Sequence, residues 1–92
     1  MKALNYPAWD RLEIADLPKP VPVEGEVLVR VANCGICGSE LETFRGRNPR
    51  RTPPIVMGHE FCGHIEQAYG TKREWLPGQA VIAHALIHCG RC

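Results

Sequence analysis

From Lys2 to Ile87 the apolar positions fall in short alternating runs punctuated by Gly and Pro, a pattern that predicts strands joined by tight connections and leaves no room for long helices. Residues 2 to 6 read as a first strand. Leu12, Ile14 and Leu17 are spaced as a second, with Trp9-Asp10-Arg11 turning between the two. Pro18-Lys19-Pro20-Val21-Pro22 lacks a backbone donor at its three prolines, so it predicts an extended surface connector that turns at Glu24-Gly25. Glu26 to Val31 is rich in β-branched residues, with Val27, Val29 and Val31 on one face and Leu28 and Arg30 on the other, and predicts a strand. In Ser39-Glu40-Leu41-Glu42 a hydroxyl precedes a carboxylate by three residues, the pattern of a capping box, which predicts a short helix starting at Ser39 and ending near Gly46. Strands resume at 55 to 56, 60 to 67 and 80 to 87, the last entered through a turn at Leu76-Pro77-Gly78-Gln79. The predicted class is mainly β, a barrel or sandwich.

Length and composition narrow the picture. A chain of 92 residues is one small domain, burying only about 60 to 65% of its unfolded surface. With 45% hydrophobic residues, 23% charged and a formal net charge of +1, neither disorder nor a nucleic-acid-binding tail fits. No apolar run approaches the roughly 18 residues of a membrane span, and the start Met1-Lys2-Ala3-Leu4-Asn5-Tyr6-Pro7 has no signal-peptide apolar region. A cytoplasmic protein with no membrane partner is expected. Four of the five cysteines form two Cys-x-x-Cys pairs, Cys34/Cys37 and Cys89/Cys92, an arrangement of metal or redox chemistry in a reducing compartment. A ligand pair that stops on the last residue predicts a truncated domain.

Cys37, His59 and Glu60 are the first candidates for chemistry. A thiolate, an imidazole and a carboxylate satisfy zinc's preferences, and three ligands leave a fourth position open. The other reading makes Cys37 a small buried hydrophobe and His59 a hydrogen-bonded core residue. Two further readings stand beside these: a non-enzymatic module in which Cys34, Cys37, Cys89 and Cys92 hold one structural zinc, and a redox pair at Cys34/Cys37. Cys62 reads as core, and His64, His84 and His88 as surface or strand histidines. Arg45, Arg47, Arg50 and Arg51 crowd a Pro-rich stretch that reads as a solvated loop.

Several ordered segments together resemble the N-terminal GroES-like catalytic domain of the zinc-dependent medium-chain alcohol and polyol dehydrogenases. They are Met1-Lys2-Ala3-Leu4 with Gly25 to Val31, Cys34-Gly35-Ile36-Cys37-Gly38-Ser39-Glu40-Leu41, Gly58-His59-Glu60-Phe61-Cys62-Gly63, Pro77-Gly78-Gln79-Ala80-Val81 and Cys89-Gly90-Arg91-Cys92. The resemblance implies a GroES-like, partly open β-barrel with one or two short helices over residues 1–92. It implies that the coenzyme-binding Rossmann domain is missing and the structural-zinc lobe incomplete from 89. Cys37 and His59 match catalytic-zinc ligands, and Glu60 the acidic neighbour that is a ligand in polyol dehydrogenases. Cys34 is not a ligand in that picture, and Cys89 and Cys92 match half of a closed four-cysteine site. The resemblance also implies that Arg45, Arg47, Arg50 and Arg51 lie near the mouth of the substrate cleft, where the alternative to a solvated loop is selection of an anionic substrate such as a sugar phosphate.

The implied chemistry is activation of a small alcohol or polyol as a zinc-bound alkoxide for hydride transfer to NAD or NADP, the coenzyme being held only in the parent enzyme. Ser39 matches the hydroxyl that begins a proton relay, and Glu42 stands where many members carry a relay histidine; for both, helix capping is the competing role. Glu40 replaces the usual Asp, one methylene shorter, that orients the zinc-bound imidazole. The chain carries no Gly-x-Gly-x-x-Gly after a strand, so alone it is expected to be inactive and to self-associate through the surface that faces its second domain.

Overall fold

The computed structural model describes residues 1–46 and 48–91. In chain order it places β1 (Lys2–Ala8), β2 (Arg11–Asp16), β3 (Glu26–Cys34), α1 (Gly38–Phe44), β4 (Ile55–Val56), β5 (Phe61–Tyr69) and β6 (Ala80–Ile82). The strands form two antiparallel three-stranded sheets, β2-β1-β4 and β3-β5-β6. Two compact units follow: Met1–Pro20 with Ile36–Gly58, and Val21–Gly35 with His59 onward. The mainly β class with a short helix is as expected. No helix among the described residues is long and apolar enough to cross a membrane.

In the first unit β1 and β2 make a hairpin in which Leu4 faces Ile14 and Ala8 faces Arg11. Trp9 and Asp10 are the turn, and Asp10 takes the left-handed conformation (φ 58°) that Asp tolerates better than most residues. Pairing is irregular between Asn5 and Ala8, where Pro7 has no N–H to contribute. The core of this unit is Tyr6, fully buried, with its ring edge-on to Trp9 (80°, centroids 6.1 Å apart) and tilted on Phe44 (6.3 Å). Its hydroxyl donates to the carbonyls of Thr43 (2.8 Å) and Phe44 (3.0 Å) at the end of the helix; the Thr43 carbonyl also accepts from Gly46 N–H (3.0 Å). Tyr6 thereby fastens α1 to β1.

In the second unit β5 is the central strand. β3 pairs along its length from Glu26–Tyr69 to Cys34–Phe61, with bulges that leave Glu66 on β5 and Ala32 on β3 unmatched. The expected two-face alternation of β3 is only partly realised, since Leu28 is half-buried and Val31 exposed; bulges twist a strand and re-aim its side chains. Pro77 and Gly78 form the predicted turn, closed by Gln79 N–H to the Leu76 carbonyl (3.0 Å), with Gly78 at φ 84°. The strand expected over 80 to 87 is corrected to Ala80–Ile82. Ala83 N–H bonds the Phe61 carbonyl (2.9 Å), and β5 begins at Phe61, so this sheet offers the chain after Ala83 no further ladder.

Candidate metal centre

The loop from β3 into α1 and the loop from β4 into β5 carry the two motifs. Gly35 N–H donates to the Glu60 carbonyl at 2.6 Å, and a Cβ on Gly35 would stand 3.2 Å from Glu60 Oε2. A side chain here would crowd the carboxylate. His59 is half-buried, and Glu60 is exposed beside a cleft of about 310 Å³ at the ends of β3, β5 and β6, lined by Asn33, Phe61, Cys62 and Ile82 among others. Cys62 is therefore half-buried on the cleft wall, which corrects its reading as core.

Cys37 is half-buried in the first unit and caps α1. Its own N–H donates to Glu40 Oε2 at 2.7 Å, and the Glu40 N–H returns to the Cys37 carbonyl at 3.1 Å. The capping box expected between Ser39 and Glu42 is thus corrected to Cys37 and Glu40, two residues earlier. Burial decides between them: Glu40 is 8% exposed, whereas Glu42 lies out in solvent. Ser39 is inside the helix, half-buried; its carbonyl accepts from Thr43 Oγ1 (2.8 Å) and its hydroxyl oxygen accepts from Arg51 Nη1 (3.1 Å).

Of the arginines, Arg45 and Arg50 are exposed, Arg51 is half-buried on Ser39, and Arg47 lies outside the described residues. Cys34 and Cys89 are exposed, and Cys92 lies outside the described residues. His84 and His88 are exposed, and His64 is half-buried on β5 opposite Arg30. Two contacts differ from the sequence-based expectation: Glu40 holds the Cys37 N–H, and Arg51 bonds Ser39. The role of Glu40 was signalled by Cys-x-x-Glu, which has the same spacing as the pattern chosen. Arg51 reaches Ser39 across a loop, and nothing in the local sequence announces it.

Residues 23–92 match the model of the alcohol dehydrogenase GroES-like domain, and the chain belongs to that family. It is similar to D-arabitol-phosphate dehydrogenase of Enterococcus avium, with 34% identity over 94% of this chain and 25% of the relative. Among solved structures it resembles a short chain alcohol dehydrogenase of Escherichia coli CFT073 complexed with NADH (TM-score 0.87, 35% identity, 100% of this chain and 26% of the other). It also resembles zinc dependent alcohol dehydrogenase 2 of Streptococcus pneumonia (TM-score 0.89, 28% identity, 100% and 27%). The fold is the GroES-like one of these dehydrogenases. The chain spans about a quarter of the length of each of these three relatives.

Proposed function

We propose that this chain is the zinc-binding catalytic domain of an NAD(P)-dependent alcohol or polyol dehydrogenase, with Cys37, His59 and Glu60 as metal ligands. The observation that carries the reading is the bond from Gly35 N–H to the Glu60 carbonyl. It ties the start of one motif to the ligand pair of the other. Cys37 follows Gly35 by two residues, and consecutive Cα atoms are about 3.8 Å apart, so covalent geometry keeps its Cα within about 7.6 Å of Gly35. The donor set itself, one thiol, one imidazole and one carboxylate, suits zinc with a coordination position left for substrate. Similarity to a zinc dependent dehydrogenase, to one complexed with NADH and to one named for a polyol phosphate supports the same reading.

Zinc, when bound, lowers the pKa of a coordinated hydroxyl towards about 7 and so favours loss of the alcohol proton near neutrality. The chain's own groups supply the rest. Ser39 Oγ takes that proton while its own hydrogen leaves to the Glu42 carboxylate, three residues on along the same face of α1, or to water. Glu40 holds the Cys37 peptide still through its 2.7 Å bond, which fixes the direction of one ligand. A nicotinamide coenzyme, held by a Rossmann domain of the parent chain, would supply the hydride acceptor. Cys89 and Cys92 contribute half of a second, structural zinc site completed by thiolates elsewhere in the parent. Without its coenzyme domain the chain is inactive, and it self-associates through exposed Ile82, Leu86 and Ile87.

Metal analysis of the purified protein tests this. One zinc lost with Cys37→Ser and His59→Ala but kept with Cys34→Ser is the expected result. Zinc kept in His59→Ala and lost in Cys34→Ser would instead establish the four-thiolate module. Activity is then assayed in the full-length protein with NAD and NADP against ethanol, 2,3-butanediol, D-sorbitol and D-arabitol phosphate.

A further inference from the structure

The guanidinium of Arg51 donates from Nη1 to Ser39 Oγ at 3.1 Å, with both side chains half-buried and 12 residues apart in the chain. The backbone of Ser39 is held separately. Its carbonyl accepts from Thr43 Oγ1 at 2.8 Å, Thr43 is fully buried, and the Thr43 carbonyl accepts from the fully buried Tyr6 hydroxyl at 2.8 Å. The main chain at Ser39 is therefore anchored, and the remaining freedom is rotation of the hydroxyl.

We propose that Arg51 is a positioning residue for proton transfer, setting which way the Ser39 hydroxyl points. The inference rests on the reading of Ser39 as the first member of the relay. A serine hydroxyl has one hydrogen and two acceptor positions, whereas guanidinium has five donors, no acceptor, and keeps its charge at any working pH. Arg51 fills one acceptor position, and the Ser39 hydrogen is turned away from it. The other lone pair accepts the alcohol proton as the Ser39 O–H bond breaks and its hydrogen passes on to Glu42 or water. Ser39 begins and ends neutral, Arg51 keeps all its protons, and the electron pair of the alcohol O–H bond stays on the substrate oxygen for hydride expulsion. Ser39 is the second residue of α1, so no carbonyl of a preceding helical turn fixes its hydroxyl; without Arg51 the hydrogen is free to rotate, and most of its orientations lie outside the relay.

The test is a double-mutant cycle in the full-length enzyme with the best alcohol of the panel above. Ser39→Ala should lower kcat about 100-fold, the ordinary scale of one acid–base group. Arg51→Met should lower kcat about tenfold with KM changed less than about twofold, and Arg51→Lys should restore part of the loss. In the Ser39→Ala background Arg51→Met should cost nothing further, because its effect runs through the missing hydroxyl. Equal losses in both backgrounds, or none in wild type, overturn the proposal while leaving the relay intact; an unaffected Ser39→Ala variant overturns the relay and the proposal with it. A second readout needs no turnover. In protein labelled with nitrogen-15 arginine, Ser39→Ala should shift the Arg51 side-chain resonances, and unchanged resonances would remove the contact on which the proposal stands.

Discussion

Gly63, the third residue of β5, is buried and paired with Val31 of β3. A methyl group placed on it would stand 2.9 Å from the Arg30 carbonyl carbon and 2.9 Å from Val29 Cγ1, with the Arg30 carbonyl oxygen nearer still. Carbon–carbon contacts are optimal at about 3.5 to 4.0 Å, so an alanine must push β3 and β5 apart by roughly half an ångström to one ångström. Because the nearest atoms are backbone, no side-chain rotation relieves the clash. The ladder bonds around Val31–Gly63 stretch with it, each worth about 1 kcal/mol. Gly63→Ala should then cost about 3 kcal/mol, the upper end of the ordinary overpacking range.

That is a substantial part of the roughly 5 to 14 kcal/mol expected of a chain of this length, and it converts to a fall in Tm of about 12 to 24 °C. Gly38→Ala is the matched control, since nothing lies within 4 Å of its Cβ position. There the same chemical change, at the first residue of α1, removes a flexible residue and should stabilise by up to about 1 kcal/mol. Both variants are followed by circular dichroism during thermal unfolding. Opposite signs are required. A Gly63→Ala variant that melts within about 4 °C of wild type would show that the strands do not approach as closely as described, and the steric argument would fail.

Tyr6→Phe removes the donor shared by the Thr43 and Phe44 carbonyls while keeping the ring; because the Thr43 carbonyl keeps its bond from Gly46 N–H (3.0 Å), stability should fall by about 0.5 to 1.5 kcal/mol in denaturant unfolding, and no change would mean that the hydroxyl bonds contribute nothing net. Glu40→Ala deletes the carboxylate that holds the Cys37 N–H; a loss of about 0.5 to 2 kcal/mol together with weaker zinc retention under chelator titration is expected, and retention equal to wild type would separate the cap from the ligand. Arg50 is exposed, so Arg50→Ala should leave the ratio of kcat/KM for D-sorbitol and its phosphate within about twofold; a tenfold fall for the phosphate would make the loop a reader of anionic substrates.

The strand pattern was legible because alternation and β-branching report burial directly, and Glu26 to Val31 and the Pro77-Gly78 turn came out as the local chemistry dictates. What could not be read were features set by a partner distant in sequence. β6 ends at Ile82 because β5 starts at Phe61, although Ala85, Leu86 and Ile87 continue an apolar run. The alternation of β3 is disturbed by an unmatched Glu66 on the opposing strand. The motif Gly-His-Glu-x-x-Gly was visible as letters, while its final glycine is explained by the nearness of the Arg30 carbonyl, 33 positions earlier in the numbering.

The helix start shows how a local rule can be right in kind and misplaced by two residues, with a consequence for chemistry. Cys37-x-x-Glu40 and Ser39-x-x-Glu42 share one spacing, and serine is the stronger capping residue in isolation. Starting at Ser39 would have left the carboxylate of the box on a solvent-facing position. Starting after Cys37 buries Glu40 and sets Thr43 on the face that meets Tyr6, so tertiary contacts outweigh a difference in cap preference of about 1 kcal/mol. The displaced cap also releases the hydroxyl. A Ser39 oxygen engaged as a cap would accept a backbone N–H of its own helix and keep little capacity for an alcohol proton. With the cap supplied upstream, Ser39 accepts instead from Arg51 and retains one lone pair and one hydrogen, the two positions a relay requires. On this argument a variant that removes the upstream cap while keeping Cys37, such as Glu40→Ala assayed with saturating zinc, frees the start of α1 to be capped by Ser39 and should slow proton transfer with the metal still bound. Solvent-isotope sensitivity of kcat in that variant would rise as the relay becomes limiting, and a rate and isotope effect equal to wild type would show that the position of the cap has no bearing on the hydroxyl.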